Sequence, residues 1–185
     1  MLCETPDDES LVARATAGDV AAFESLIRRY EKPVFRMIWQ MTTHRQTTED
    51  LAQETFVKAF RSLDRFDSGR GSFSTWLYTI ARNLCRNAHR KVVQFPVLKL
   101  RDEEFSDEGT PGENAERRED FQRLDEALNQ LEEPFRTSFI LAVVEEFPLA
   151  EVAAIEGVAV GTVKSRVSRA KEHLRTFLKS STPID

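Results

Sequence analysis

The segment LAEVAAIEGVAVGTVKSRVSRAK, Leu149–Lys171, decides the fold of the C-terminal part of this chain. It begins with a short run whose apolar residues, Val152, Ala153 and Ile155, share one helical face. Gly157 follows at a position where a left-handed residue can end a helix, and Ala153 is small enough for two helices to pack at a steep angle. A longer basic helix comes next. This order predicts a helix-turn-helix, whose second helix can enter the major groove of DNA.

The second helix of this motif carries polar and basic side chains away from its apolar stripe. Arg and Lys side chains can reach guanine edges, Ser and Thr can reach bases or phosphates, and the first amides of a helix attract phosphate. We therefore predict that DNA is contacted by Thr162, Lys164, Ser165, Arg166, Ser168 and Arg169. The alternative interpretation is a plain helical hairpin with a basic surface.

The N-terminal half has the periodicity of helices and no strand-like alternation. A first helix is predicted over residues 8–17, and Asp19 caps a second, which Pro33 should kink or break. Thr47 and Asp50 have the spacing of a capping box at the start of a third helix. The apolar face predicted for the third helix is Ala52, Phe56, Ala59, Phe60 and Leu63, and that of a fourth is Phe73, Trp76, Leu77, Ile80, Ala81 and Leu84.

Two further helices are predicted between the middle of the chain and the helix-turn-helix. Pro148 suits the start of the motif's first helix, and the last helix is predicted over residues 161–179. The predicted apolar faces are Phe121, Leu124, Leu128 and Leu131 in one helix, Phe135, Phe139, Ala142 and Val143 in the next, and Val163, Val167, Ala170, Leu174 and Phe177 in the last.

The middle of the chain breaks the helical pattern. It contains Pro96, Gly109, Pro111 and Gly112 together with many acidic residues. Such a composition is typical of an extended or flexible linker. We therefore predict an all-α chain of two small helical domains, residues 1–91 and 119–180, joined by an acidic flexible linker, 92–118, and followed by a tail, 181–185.

Charge is unevenly distributed over this chain, whose net charge is −5. Residues 61–91 hold seven basic residues against two acidic ones, and residues 161–179 hold six against one. Basic blocks on helices suit DNA, because each neutralised phosphate releases counterions. Ordinary solvated helix faces are the alternative explanation for either block.

Other classes of function have less support. The two cysteines, Cys3 and Cys85, cannot form a disulfide framework or a four-ligand zinc site. None of the three histidines has a Glu three residues before it, as metal sites in helical bundles need. No apolar run reaches the roughly 18–20 residues that span a membrane, and the acidic N-terminus lacks a signal peptide. We expect no enzyme, no cofactor and no membrane insertion, in a cytoplasmic protein.

Several stretches together resemble a known family. Leu149–Lys171 resembles region 4 of bacterial sigma factors of the extracytoplasmic-function (ECF) group, in the sigma-70 family, and Ala22–Tyr30 resembles the start of their region 2. Asp50–Phe56 resembles the segment that holds core RNA polymerase, and Phe73–Asn83 the helix that reads the −10 promoter element. Their order and separation are more specific than any one stretch alone.

The resemblance implies a non-catalytic protein that directs core RNA polymerase to promoters, reads the −35 element with its helix-turn-helix and opens the −10 duplex. It implies that polymerase is bound by Asp50, Gln53, Glu54, Lys58 and Arg61. It implies −10 contacts by Phe66, Ser68, Arg70, Ser72, Asn83, Arg86, Asn87 and Arg90. The implied partners are the clamp of the largest polymerase subunit, the flap of the second-largest subunit, promoter DNA and an anti-sigma factor.

Two departures from the family pattern are visible, and another function stays open. Ser168 stands where many members have an aromatic residue or histidine, and Phe147-Pro148-Leu149 lacks the usual polar cap. The alternative is a stand-alone helix-turn-helix regulator, a class that usually binds DNA as dimers. Co-purification with core polymerase separates the two.

Overall fold

The computed structural model describes residues 6–42, 44–94, 124 and 126–180. This part of the chain is helical without any strand, which confirms the all-α prediction. The chain divides into two compact units, Met1–Lys99 and Leu100–Asp185. The predicted linker beyond residue 94, Phe121 and the tail lie outside the described residues. None of the described helices combines the length and apolar character needed to cross a membrane.

The N-terminal unit is built on four described α-helices. They are α1, Asp8–Thr16; α2, Val20–Thr42; α3, Arg45–Arg61; and α4, Phe73–Gln94, with 3-10 turns at Leu63–Arg65 and Ser68–Arg70. Helices α1, α3 and α4 all pack against α2. The core contains Leu11, Leu26, Val34, Met37, Ile38 and Leu77. Helix α4 continues three residues into the segment predicted as linker.

Pro33, predicted to kink or break the helix, does not break it: α2 continues from Val20 to Thr42. Proline has no N–H to donate to the carbonyl four residues earlier, here that of Arg29. The residues that follow, Val34, Met37 and Ile38, are fully buried. Burial of this apolar face outweighs the loss of one hydrogen bond, so the helix continues.

Helix α3 starts earlier than predicted. His44 is its N-cap, and the Nδ1 atom of His44 accepts a hydrogen bond from the amide of Thr47 at 3.3 Å. Thr47 therefore lies inside the first turn, and Asp50 is an exposed residue of the helix. The capping-box assignment of Thr47 and Asp50 is wrong, because the ring of His44 supplies the acceptor.

The buried face of α3 is also rotated from the predicted one. Its buried residues are Thr48, Leu51, Thr55 and Ala59. The hydroxyls of Thr48 and Thr55 donate to backbone carbonyls one turn earlier, at 2.9 and 2.7 Å. Because these bonds satisfy the hydroxyls, threonine can be buried here. Of the predicted face only Ala59 and Leu63 are buried, whereas Ala52 and Phe56 are half-buried and Phe60 is exposed.

The C-terminal unit contains helical residues 126–129, α5 at Glu133–Phe139, α6 at Leu149–Glu156 and α7 at Val160–Ser180. Helices α5 and α6 both pack against α7. One core cluster consists of Ala127, Leu128, Leu131, Phe139, Ala170 and Leu174, with Leu124, Phe135 and Phe177 packed against it.

The residues after α5 change helical register. Ile140–Val144 forms a π-helical turn, in which the amide of Glu145 donates to the carbonyl of Ile140, five residues earlier. Ile140 and Leu141 are consequently fully buried, while Val143 is exposed. The predicted inward orientation of Val143 is wrong, because it assumed α-helical spacing.

Candidate nucleic-acid interface

The turn between α6 and α7 has the predicted geometry. Gly157 ends α6 in the left-handed conformation, with φ 67° and ψ 38°. The amide of Val158 donates to the carbonyl of Ala153 at 3.1 Å, and that of Thr162 donates to the carbonyl of Ala159 at 2.9 Å. These bonds fix the start of α7 relative to α6, as a helix-turn-helix requires.

Helix α7 separates a buried face from a polar one. Val163, Val167, Ala170 and Leu174 are buried. Four predicted DNA contacts, Lys164, Ser165, Ser168 and Arg169, are exposed, and Thr162 is half-buried in the first turn. We call these five residues the α7 outer face.

Arg166, the sixth predicted contact, lies elsewhere. Its side chain is 22% exposed, and its Nη1 atom donates to Oε2 of Glu156, whose side chain is only 1% exposed. The Oε1 atom of Glu156 lies 2.5 Å from the Oγ atom of Ser138. Arg166 therefore connects α7 to the end of α6 and to α5.

The predicted −10 residues lie on α4 and on the loop before it. Arg86, Asn87 and Arg90 are exposed on α4, and the Oδ1 atom of half-buried Asn83 accepts a hydrogen bond from Nη1 of Arg82 at 3.3 Å. In loop 66–72, Ser68, Arg70 and Ser72 are exposed. The loop and the polar face of α4 are thus adjacent along the chain and reachable from solvent.

Four aromatic rings, Tyr30, Phe66, Phe73 and Trp76, form an aromatic cluster at the two ends of this loop. Phe66 contacts Phe73 and Trp76, with ring centroids 5.8 and 5.4 Å apart. Phe73 also contacts Tyr30, at 5.6 Å, and Trp76, at 5.8 Å. Phe73 is buried as predicted, and Phe66 is half-buried rather than a freely exposed loop residue.

Tyr30 also ties the aromatic cluster to α1. Its hydroxyl donates to a carboxylate oxygen of Asp8, and Arg29 donates to the other oxygen. Burial, followed by the hydrogen bond and charge of Asp8, raises the pKa of Tyr30 well above its usual range. The hydroxyl is therefore a stable donor at any physiological pH.

The five predicted polymerase-binding residues are all exposed on one side of α3. They are Asp50, Gln53, Glu54, Lys58 and Arg61, and we call them the α3 outer face. Glu54 and Lys58 form an ion pair at 2.9 Å. An open groove of about 390 Å³ next to this pair extends to Asn87 and Arg90 of α4. The groove therefore adjoins both the α3 outer face and the polar face of α4.

Comparison with known proteins matches both units to one family. The sigma-70 region 2 profile matches residues 26–93, and the sigma-70 region 4 profile matches residues 121–174. The chain is 30% identical to the ECF RNA polymerase sigma factor SigW of Bacillus subtilis, over 91% of this chain and 95% of the relative. It is 32% identical to the ECF RNA polymerase sigma-E factor of Haemophilus influenzae, over 96% of this chain and 98% of the relative.

The chain belongs to the ECF sigma factors. It is a transcription initiation factor that directs promoter-specific initiation, and the stand-alone regulator is not supported. The N-terminal unit contains region 2 and the C-terminal unit contains region 4.

Solved structures of similar sigma factors include partner proteins. CnrH in complex with the cytosolic domain of CnrY is 26% identical, with a TM-score of 0.74 over 95% of this chain and 99% of the other. The sigma factor RpoE of Bartonella quintana, bound to the anti-sigma factor NepR, is 29% identical, with a TM-score of 0.69 over 86% of this chain and 98% of the other. Known sigma factors of this fold thus include one bound by an anti-sigma factor.

Two exposed apolar residues lie beside the α3 outer face: Phe60, which the sequence placed on the buried face, and Val57, which it did not single out. Val57 is 39% exposed and Phe60 is 52% exposed. The Phe60 ring contacts that of Phe23, with centroids 5.0 Å apart and ring planes tilted by 60°. The spacing of Leu51, Thr55 and Ala59 at steps of four could have placed Phe60 outside the core, but only if a buried threonine had been allowed.

Proposed function

We propose that this sigma factor reads the −35 element with the α7 outer face and the −10 element with loop 66–72 and α4. Its α3 outer face binds the clamp of the largest polymerase subunit, and its C-terminal unit binds the flap of the second-largest subunit, in the cytoplasm. The observation that carries the proposal is that three polar faces are exposed on helices whose opposite faces are buried.

The α7 outer face suits duplex DNA. Lys164 and Arg169 can donate to guanine edges or phosphates, and Ser165 and Ser168 can contact either. Ala159 has no side-chain acceptor to cap the first turn of α7, so the first amides of the helix can be directed at a phosphate. The short side chain of Ser168 gives this face a different base preference from members with an aromatic residue there.

Loop 66–72 and α4 suit the melted −10 strand. Reading an unpaired base needs a pocket with polar donors and acceptors, and gripping single-stranded DNA needs cations along its backbone. Ser68, Ser72 and Asn83 can bind a base edge, while Arg86 and Arg90 bind phosphates. Phe66 and Phe73 pack against each other at the two ends of the loop, so we do not assign base stacking to them.

The α3 outer face suits a protein partner, because exposed Val57 and Phe60 adjoin its charged residues. Interfaces commonly combine such an apolar centre with a polar rim. We therefore add Phe60 to the predicted polymerase contacts. An anti-sigma factor would also bind this chain, as the Bartonella relative is bound by NepR.

Reconstituted transcription tests the proposal. Core RNA polymerase with the sigma factor should give run-off transcripts from promoter fragments selected by that holoenzyme. Arg169→Glu should lower promoter binding about tenfold or more, since it replaces a donor by a repelled anion, while core binding stays within about twofold. Arg175→Glu, an exposed change six residues further along α7, is the matched control. Equal loss of promoter and core binding by Arg169→Glu would contradict the assignment.

The −10 assignment is tested by promoter opening. Asn83→Ala should leave duplex engagement intact and lower the permanganate reactivity of −10 thymines, because it removes a donor and acceptor for an unpaired base. His89→Ala, at an exposed position further along α4, is the control. Unchanged opening by Asn83→Ala would remove Asn83 from the −10 site.

A further inference from the structure

The contacts of Arg166 point to a role other than DNA contact. We propose that Arg166 is a positioning residue, which fixes the orientation of α7 through Glu156 and Ser138 and thereby sets how sharply the α7 outer face discriminates between −35 sequences. The inference rests on the proposed reading of −35 DNA by α7.

Helical geometry places Arg166 at the edge of the buried face. Arg166 follows Val163 by three residues and precedes Ala170 by four, and both of these neighbours are fully buried. Residues at these spacings lie on the same side of a helix. The Arg166 side chain therefore leaves α7 towards the end of α6, where its Nη1 atom meets the carboxylate of Glu156.

The burial of Glu156 holds Arg166 in place. A carboxylate that is 1% exposed is tolerated only when it is paired and hydrogen-bonded. If Arg166 turned towards a DNA phosphate, Glu156 would be left as a buried charge without its cation. Breaking a buried pair in this way costs more than one contact at a hydrated phosphate returns.

Ser138 allows the Arg166–Glu156 ion pair to be replaced by apolar residues without leaving a buried hydroxyl unsatisfied. Its Oγ atom lies 2.5 Å from Oε1 of Glu156 and 3.0 Å from the carbonyl oxygen of Pro134. If Glu156 is replaced by an apolar residue, Ser138 can still donate to Pro134. A double substitution, Glu156→Leu with Arg166→Met, therefore removes the ion pair while it keeps the volume and satisfies the remaining hydroxyl.

The test compares Arg166→Met with the Glu156→Leu/Arg166→Met double variant in holoenzyme reconstituted with core polymerase. The probes are a promoter duplex selected by the parent holoenzyme and the same duplex with its −35 element substituted. Arg166→Met should lower the ratio of the two affinities about tenfold, and the double variant should restore it to within about threefold of the parent. The slope of log affinity against log salt should be unchanged in both, because no phosphate contact is lost.

Arg169→Met is the matched control, since it removes a cation from the α7 outer face and should make the salt slope shallower by about one. If Arg166→Met and the double variant both reduce the slope in the same way, Arg166 contacts phosphate and the inference is overturned, while the −35 proposal stands. If Arg169→Met changes neither slope nor ratio, the −35 proposal itself fails. If Arg166→Met lowers the unfolding temperature but keeps the affinity ratio, the role is only structural and the inference is also overturned.

Discussion

The two units support their polar faces in different ways. In the N-terminal unit, the aromatic cluster packs at both ends of loop 66–72. In the C-terminal unit, α7 packs through an apolar stripe and, at its edge, contacts the buried carboxylate of Glu156 through Arg166. Apolar packing is non-directional, whereas a buried ion pair is stable only in a defined geometry. Loop 66–72 is supported by aromatic packing that the Tyr30 hydroxyl links to Asp8. The orientation of α7 depends, besides its apolar stripe, on keeping the buried carboxylate of Glu156 paired.

At two helix junctions the contrast is reversed, because the charged side chain lies in the N-terminal unit. Gly18, between α1 and α2, and Gly157, between α6 and α7, both have positive φ angles, 96° and 67°. After Gly18 the chain places Asp19, whose Oδ1 atom accepts a hydrogen bond from the amide of Ala22 at 3.2 Å. After Gly157 the residue before α7 is Ala159. The first junction therefore depends on a titratable side chain, and the second depends on backbone conformation.

Removing the central ring of the aromatic cluster is the largest change that this comparison predicts. Phe73→Ala should lower the free energy of unfolding of the N-terminal unit by about 3–5 kcal/mol, because Phe73 is buried and its removal leaves a cavity. Both tryptophans, Trp39 and Trp76, lie in this unit, so tryptophan fluorescence during urea unfolding reports its stability.

Phe60→Ala is the matched control for Phe73→Ala, because Phe60 is 52% exposed. It should cost about 1 kcal/mol or less in stability and should instead weaken binding to core polymerase. A loss of stability as large as that of Phe73→Ala would mean that Phe60 belongs to the core, and the proposed polymerase contact would lose its support.

The second prediction concerns the backbone-dependent junction. Gly157→Ala should destabilise the C-terminal unit by about 1–2 kcal/mol, which is the cost of a left-handed conformation for an L-residue. An added Cβ at this position meets nothing within 4 Å, so backbone strain is the whole effect. Amide hydrogen exchange of α6 and α7 measures this loss of stability.

Gly161→Ala is the matched control in the same motif, and its expected effect on stability is opposite to that of Gly157→Ala. Gly161 is helical, and a Cβ there also meets nothing within 4 Å. Alanine should therefore leave the protection of α7 unchanged or raise it by up to about 1 kcal/mol. Protection lowered equally by both substitutions would show that added bulk, not the φ angle of Gly157, is responsible.

The sequence predicted most of the helix-turn-helix because its signals are local. The end of α6 depends on the positive φ angle of Gly157, which is a property of that one residue. The buried residues of α7, which are Val163, Val167, Ala170 and Leu174, follow ordinary helical spacing. The face of α3 was mispredicted because Thr48 and Thr55 are buried as satisfied hydroxyls. Such burial depends on side-chain-to-backbone bonds that hydrophobic periodicity does not register.

The role of Arg166 could not be read from sequence for a different reason. A basic residue in the second helix of a helix-turn-helix is the expected type of DNA contact. Its partner Glu156 is ten residues earlier, across the turn, and Ser138 is eighteen residues before Glu156. Only the packing of three helices brings these groups together, and the π-helical turn at Ile140–Val144 adds a shift of register that α-helical spacing does not predict.

The smallest predicted effect tests the titratable junction. The Arg14 guanidinium and the amide of Ala22 hold the pKa of Asp19 below its usual value. Because the pKa of Asp19 is lower in the folded protein than in the unfolded one, its stabilising contribution is present above the unfolded pKa of about 4 and is lost as pH falls through the folded value. Asp19→Asn keeps a capping oxygen but removes the charge. The urea midpoint of the N-terminal unit should therefore be slightly lower than the parent's at pH 7, and the two midpoints should converge as pH falls below the folded pKa of Asp19. Gly157→Ala, at a turn closed by backbone hydrogen bonds, should show the same loss at pH 7 and at a pH below the folded pKa of Asp19. A deficit of Asp19→Asn that persists below that pKa would assign its effect to the cap rather than to the charge.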